Sequence, residues 1–106
     1  MTLPEIGALL AGVYPNTSRY DAGKQSGDYV VWHEYSGRRQ SAGPLAVHKV
    51  QVDLFTRKED DPALSAILGA LDGARVAFEA PKTTYEPDTG YIHHIILCEV
   101  IDRGQF

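Results

Sequence analysis

Residues 45–57 read LAVHKVQVDLFTR, and the reading of this stretch decides the fold. Lys49, Gln51 and Asp53 alternate with Val50, Val52 and Leu54, the period-two pattern of a strand with one buried face. Val47 and Phe55 carry the apolar, β-prone composition towards both ends. Immediately upstream, residues 28–36 (DYVVWHEYS) predict a second strand, and the intervening GRRQSAGP holds the glycines and proline of a reversing turn. Downstream, Asp61-Pro62 stops the strand and opens a helix, because Asp is a good N-cap and Pro is favoured at the first helical position. Leu64, Ile67, Leu68 and Leu71 then repeat at i, i+3, i+4 and i+7, which lays one apolar stripe along that helix. Glu59, Asp60 and Asp61 sit at the positive end of its dipole, a structural reason for an acidic cluster that needs no metal. Their spacing also lacks the Gly-centred pattern of a calcium loop.

Towards the N-terminus, Thr2 and Glu5 form a capping-box pattern, and Leu3, Ile6, Leu10 and Val13 fall on one stripe of a short helix that Gly12 and Pro15 end. Gly7 weakens that helix by about 1 kcal/mol relative to Ala, so packing on the sheet has to hold it. Residues 14–27 (YPNTSRYDAGKQSG) show no periodicity; they predict a long loop, a candidate contact surface with Tyr14 and Tyr20 as pins. In the strand that follows, Tyr29, Val31, His33 and Tyr35 are expected on one face and Val30, Trp32 and Glu34 on the other. Both faces are partly apolar, so the second calls for cover from helices or from a neighbouring subunit.

After the second helix, residues 75–80 (RVAFEA) alternate again and end at Pro81, and residues 83–86 predict a short further strand. Pro87-Asp88-Thr89-Gly90 is a turn, and residues 91–101 (YIHHIILCEVI) read as a central strand covered on both faces, the natural partner of the 45–57 strand. The predicted fold class is α+β: a mostly antiparallel sheet of four to five strands with two helices on one face, in the order α-β-β-α-β-β-β. Its length of 106 residues suits one domain over 1–106.

Composition narrows the function classes. A hydrophobic share of 43% with 23% charge is ordinary for a globular chain, and no apolar run approaches the roughly 20 residues of a membrane span. The opening MTLPEIGALLAG lacks a basic leader region, so the chain is expected to stay in the cytoplasm where it is made. A net charge of −4 argues against a generic nucleic-acid binder. Cys98 has no internal disulfide partner and sits in an apolar strand, where a thiol behaves as a small hydrophobe. No nucleophile elbow and no phosphate-binding loop occurs.

Four histidines raise the question of metal or catalysis. His93 and His94 are adjacent, so on a strand they point to opposite faces and cannot share one ion. His33 and His48 flank the GRRQSAGP turn and would approach His93 only in one pairing of the sheet, and no acidic or Cys ligand lies at zinc spacing. Catalytic, cofactor and metal sites are therefore expected to be absent. Arg38 and Arg39 at the turn make a small basic patch, a solvated hairpin end or a contact for phosphate or an acidic partner.

The run DYVVWHEYSG, then HKVQVDLFTR, a helix ending in Leu71 and the PDTGYIHHIILCEV hairpin resembles the tail-terminator or tail-completion proteins of long-tailed bacteriophages, the head-tail joining group. Val50, Val52, Asp53, Leu54 and Phe55 match the family's VQVDLF strand, and Asp88, Thr89, Gly90, Tyr91 and His93 match its late hairpin. The resemblance spans most of the chain, from Ile6 to Ile101; nothing in residues 14–27 matches a nameable pattern. It implies a non-enzymatic virion component, made in the host cytoplasm, that forms a ring, commonly a hexamer. Such a ring caps the tail tube protein, stops its polymerisation and docks to the head-tail connector or head-completion protein, with DNA passing through it and no membrane involved. Under that reading Tyr20, Trp32, Tyr35, Arg38 and Arg39 are the expected interface residues. The competing class is a small ferredoxin-like α+β binding module or enzyme subunit, which shares the element order loosely. Neighbouring genes for connector and tail proteins would favour the first class, and a metabolic operon the second.

Overall fold

The computed structural model describes residues 1–23, 25, 27–39 and 45–103, the side chains of Arg38 and Arg39 excepted. The 45–57 stretch is the spine expected of it: β3 (Ala46–Thr56) is hydrogen-bonded on both sides, antiparallel to β2 (Tyr29–Arg39) and to β6 (Tyr91–Asp102). Its alternation sets the two faces. Val50, Val52 and Leu54 are fully buried, in register with Glu34, Trp32 and Val30 on one side and Cys98, Ile96 and His94 on the other.

Two helices cover that face. α1 (Leu3–Val13) begins at the capping box, with Thr2 accepting from the Glu5 N–H and Glu5 accepting from that of Thr2. α2 (Pro62–Gly73) begins at Asp61, whose carboxylate accepts from the Ala63 N–H. Ile6 and Leu10 from α1 and Ile67 and Leu71 from α2 complete one core with the inward residues of the sheet. Neither helix is long and apolar enough to cross a membrane.

The sheet has six strands, ordered β1-β2-β3-β6-β4, with β5 also paired to β6. The sixth strand is a correction. Residues 14–27 are not one long loop, because β1 (Thr17–Arg19) pairs parallel to β2, Thr17 opposite Val30. Asn16 fastens it: its carbonyl accepts from the Val30 N–H at 2.9 Å, and its amide donates to the Asp28 carbonyl at 3.0 Å. The observed order is therefore α-β-β-β-α-β-β-β. β2 also runs three residues past the predicted end at Ser36.

The RVAFEA strand shrinks to β4 (Ala77–Phe78), and the reason lies at the end of α2. Arg75 takes a left-handed φ of 60°, the Val76 N–H reaches the Leu71 carbonyl, and the Arg75 N–H reaches that of Asp72. This is a Schellman ending, closed by contact between the buried Val76 and Leu71, so residues 75 and 76 belong to the helix terminus. β5 (Lys82–Glu86) follows, and Gly90, at φ 77°, turns it into β6 as the PDTG motif requires. β4 and β5 flank the same side of β6 with registers that differ by one residue, so they act as a single edge strand interrupted at residues 79–81.

Candidate interaction surface

The helix-free face of the sheet presents the odd-numbered residues of β3 and β6. At its centre Phe55 stacks on Tyr29 at 4.7 Å and on His93 at 4.1 Å, and Tyr91 meets both Phe55 and Tyr29 edge-on. Strand register produces this cluster: Tyr29 and His93 both lie opposite Phe55, from β2 and from β6. Tyr91 is anchored by its hydroxyl, which donates to the Gly27 carbonyl at 2.6 Å, and the Arg57 guanidinium lies 4.0 Å over its ring.

Beside the rings sits Asp53, 6% exposed on a face that no helix covers. Its carboxylate accepts from His93 Nε2 at 2.8 Å and from the Gln51 amide at 3.0 and 3.1 Å. Two donors leave a carboxylate with acceptor capacity to spare. A pocket of about 260 Å³ opens here, lined by Tyr20, Asp21, Tyr29, His33, Asp53 and Phe55 among others.

The residues expected at the interface separate. Tyr20 is 62% exposed at the end of β1, held at φ 69° by a hydrogen bond from its N–H to the Trp32 carbonyl. Trp32 is not a surface residue. It is 4% exposed under α1, with the Arg19 guanidinium lying over its ring 4.7 Å from the centroid, so its indole is spent within the chain. Tyr35, 47% exposed, falls in a β-bulge where Glu34 pairs with Val50 and Ser36 with Lys49. The bulge breaks the alternation expected of Tyr29, Val31, His33 and Tyr35: Tyr35 lines a cavity with Phe78 and Cys98, both in register on the helix-covered side. The Arg38 and Arg39 side chains lie outside the described residues, although their backbone is paired with Val47 and Ala46.

The histidines do not converge. His93 belongs to the aromatic face, while His48 sits on the opposite face and is paired with Glu34. His33 lies beside Tyr20, with ring centroids 6.5 Å apart. Among the described residues no group of three or more His, Cys, Asp or Glu is placed to hold a metal ion. His94 faces the core side, where its Nδ1 meets the Thr83 hydroxyl at 2.8 Å and burial pushes its pKa below the ordinary histidine value. It shares a cleft with Glu59, Asp60 and Asp61. Burial alone would raise the Asp61 carboxyl, but hydrogen bonds from the Thr56 hydroxyl at 2.6 Å and the Ala63 N–H outweigh it and hold the pKa below the ordinary value. The acidic cluster thus contributes a helix cap. Cys98 is 2% exposed and burial pushes its thiol up to about 11, so it is protonated and unreactive near neutral pH.

Among the described residues the arrangement offers an aromatic face with one partly used carboxylate and two sheet edges. Its fold has a solved counterpart. The chain superposes on a chain of the structure "Virion of native gene transfer agent (GTA) particle" with a TM-score of 0.60 and 17% identity, over 92% of this chain and 86% of that one. At that identity the likeness is one of fold. No family model and no curated protein matches the sequence.

The aromatic cluster has no signature in the sequence itself. Its components are plain in the sequence, but Tyr29, Phe55 and His93 meet only once two strand registers are fixed. The alternation of β3 gave the one available signal, since it puts Asp53 and Phe55 on the face away from the core.

Proposed function

We propose that this chain is a structural component of a phage-like virion and performs no reaction. The observation that carries the proposal is the fold likeness, over 92% of the chain, to a component of a gene transfer agent virion. The sequence resemblance refines it. In the finer reading the chain acts as one domain and is a tail terminator, assembling in the host cytoplasm into a ring, commonly a hexamer. That ring caps the tail tube and joins it to the head connector.

Ring assembly requires a heterologous interface, in which one patch of each subunit meets a different patch of the next. The described surface supplies dissimilar patches: an aromatic pocket at one end of β2 and β3, and the far ends of the same strands, where Arg39 pairs with Ala46. The exposed Tyr20 and Tyr35 support the same reading, and Arg38 and Arg39 belong to it by position.

Electron microscopy of particles assembled without this protein tests the proposal. Over-long tails, or tails detached from heads, are expected; tails of normal length joined to filled heads would overturn the terminator role. Mass spectrometry of purified particles tests the coarser role, which fails if the chain is absent from them.

A further inference from the structure

We propose that the cavity beyond the C-terminal end of α2, between Arg75 and Arg103, is a receptor for carboxylates, and that its occupant is the Glu59–Asp60 turn of a second copy of this chain. This rests on the ring reading above and gives it a contact that the expected interface residues do not include.

The receptor is a cavity of about 320 Å³ lined by Arg75, Val76, Ala77, Glu99, Ile101 and Arg103. A step in the sheet edge makes it. β4 begins at Ala77, opposite Glu99, while β6 runs on to Asp102, so beyond that pair no described strand lies on this side of β6. The left-handed turn that ends α2 fills the step and brings Arg75 to it. Both arginines are exposed, and among the described residues neither guanidinium has a hydrogen-bond, ion-pair or ring partner. Two like charges that share a cavity repel, and an anion held between them relieves the repulsion. Glu99 does not supply that anion: no ion pair joins it to either arginine, and Lys49 stands directly opposite it in the sheet. Ile101, 44% exposed, adds apolar surface to the same lining. Guanidinium groups suit carboxylates because they donate two parallel hydrogen bonds to one group.

The occupant follows from charge and position. Of the three acidic residues that open α2, Asp61 is spent on the Thr56 hydroxyl and the Ala63 N–H. Glu59 and Asp60 are exposed, and among the described residues their carboxylates have no partner. Of the two cations just ahead of them, Arg57 is turned towards Tyr91 and Thr89, and Lys58 alone leaves an excess of negative charge. Leu64 and Ile92, both partly exposed, line the cleft beside the two carboxylates, so this corner, like the receptor, combines charge with apolar surface. The two patches lie beyond opposite ends of α2, whose 12 residues span about 18 Å at 1.5 Å of rise each. They cannot meet within one rigid chain, so they complement each other only between copies. That contact is head-to-tail, the kind that closes into a ring when the rotation per subunit allows.

The experiment is sedimentation velocity on the full chain and two charge-altered variants, Arg75→Glu/Arg103→Glu and Glu59→Arg/Asp60→Asn. All four positions are exposed, and Asn tolerates the left-handed backbone that Asp60 holds at φ 51°. Circular dichroism checks that each variant is folded; if position 75 unfolds the first, Arg103→Glu alone carries the comparison. The wild-type chain is expected to self-associate, and each variant alone to associate at least roughly tenfold more weakly. An equimolar mixture of the two variants is expected to recover association, because a basic turn then meets an acidic cavity and an acidic turn a basic one. Variants that assemble like wild type, a mixture that does not recover, or a wild-type chain monomeric at its solubility limit would each overturn the contact. If instead the arginine variant assembles normally but loses retention on double-stranded DNA, the arginines serve phosphate and the contact is likewise overturned. None of these outcomes bears on whether tails form without the protein, so the virion role stands or falls separately.

Discussion

Gly7 lies directly against the Trp32 indole: a Cβ built on Gly7 would stand 2.6 Å from Trp32 Cζ2. Helix propensity alone makes Gly7 a defect in α1, worth about 1 kcal/mol against Ala. The buried indole reverses that sign, because α1 can settle on the sheet only where it has no side chain. Gly7→Ala is expected to lower stability by about 1 to 3 kcal/mol through overpacking. A urea melt checks this, and a variant more stable than wild type would show that Trp32 can move aside.

Ile67 is fully buried where α2 meets the sheet. Ile67→Ala should cost about 2 to 5 kcal/mol, and Leu68→Asp, which places a charge against the same core, should leave the chain largely unfolded. Thermal denaturation followed by circular dichroism reads both, and wild-type stability in Leu68→Asp would contradict the described packing.

Arg75 holds the left-handed position that ends α2. Glycine adopts that conformation without steric cost, so Arg75→Gly is expected to stabilise the chain by about 1 kcal/mol. Replacement by Val, which resists positive φ, should destabilise it instead. Chemical denaturation of the pair gives opposite shifts if the terminus is as described.

Acid should weaken the fold through His94 and Asp61. Both have native pKa values below their ordinary ones, 6.5 and 3.8, so the unfolded chain binds protons more readily than the native one. The stability due to His94 is complete above its ordinary pKa and is lost as pH falls through the lower native value; that due to Asp61 is lost later, below the ordinary carboxylate range. Urea midpoints should therefore fall from about pH 7 downwards, and His94→Gln should flatten the first part of the decline. Thr56→Val removes the hydroxyl that donates to Asp61 at 2.6 Å and should cost about 1 to 3 kcal/mol near neutral pH. Midpoints that stay level from about pH 7 to pH 5 would count against the His94 assignment.

What could be read from the chain in advance was whatever is encoded within a few residues. The Thr2–Glu5 box, the Asp61-Pro62 start, the stripe of α2 and the alternation of β3 each carry their own local signal, and each is found in place. The misreadings share a cause. Three residues of β1 are too few to show a period, and their pairing depends on Val30, which lies thirteen positions beyond Thr17 (30 − 17). Trp32 looks like an interface aromatic until Gly7 brings α1 down on it. Tyr35 leaves its expected face because of a bulge that no local pattern announces, and Arg75 ends a helix in a role usually given to glycine. The candidate pocket needed all of this: β1 carries Tyr20 to it, and two strand registers bring Tyr29, Phe55 and Asp53 together.

The interruption at residues 79–81 has a further consequence. β4 offers two residues and β5 five, Pro81 and Pro87 flank β5, and Lys82 opens it, so that rim never presents a long, smooth row of backbone donors and acceptors. An open sheet edge risks runaway strand recruitment into fibrils, and short, proline-bordered, charged rims are how β-proteins discourage it. Mending the break, for example with Pro81→Val, should leave the folded chain intact yet make its solutions seed thioflavin-positive aggregates.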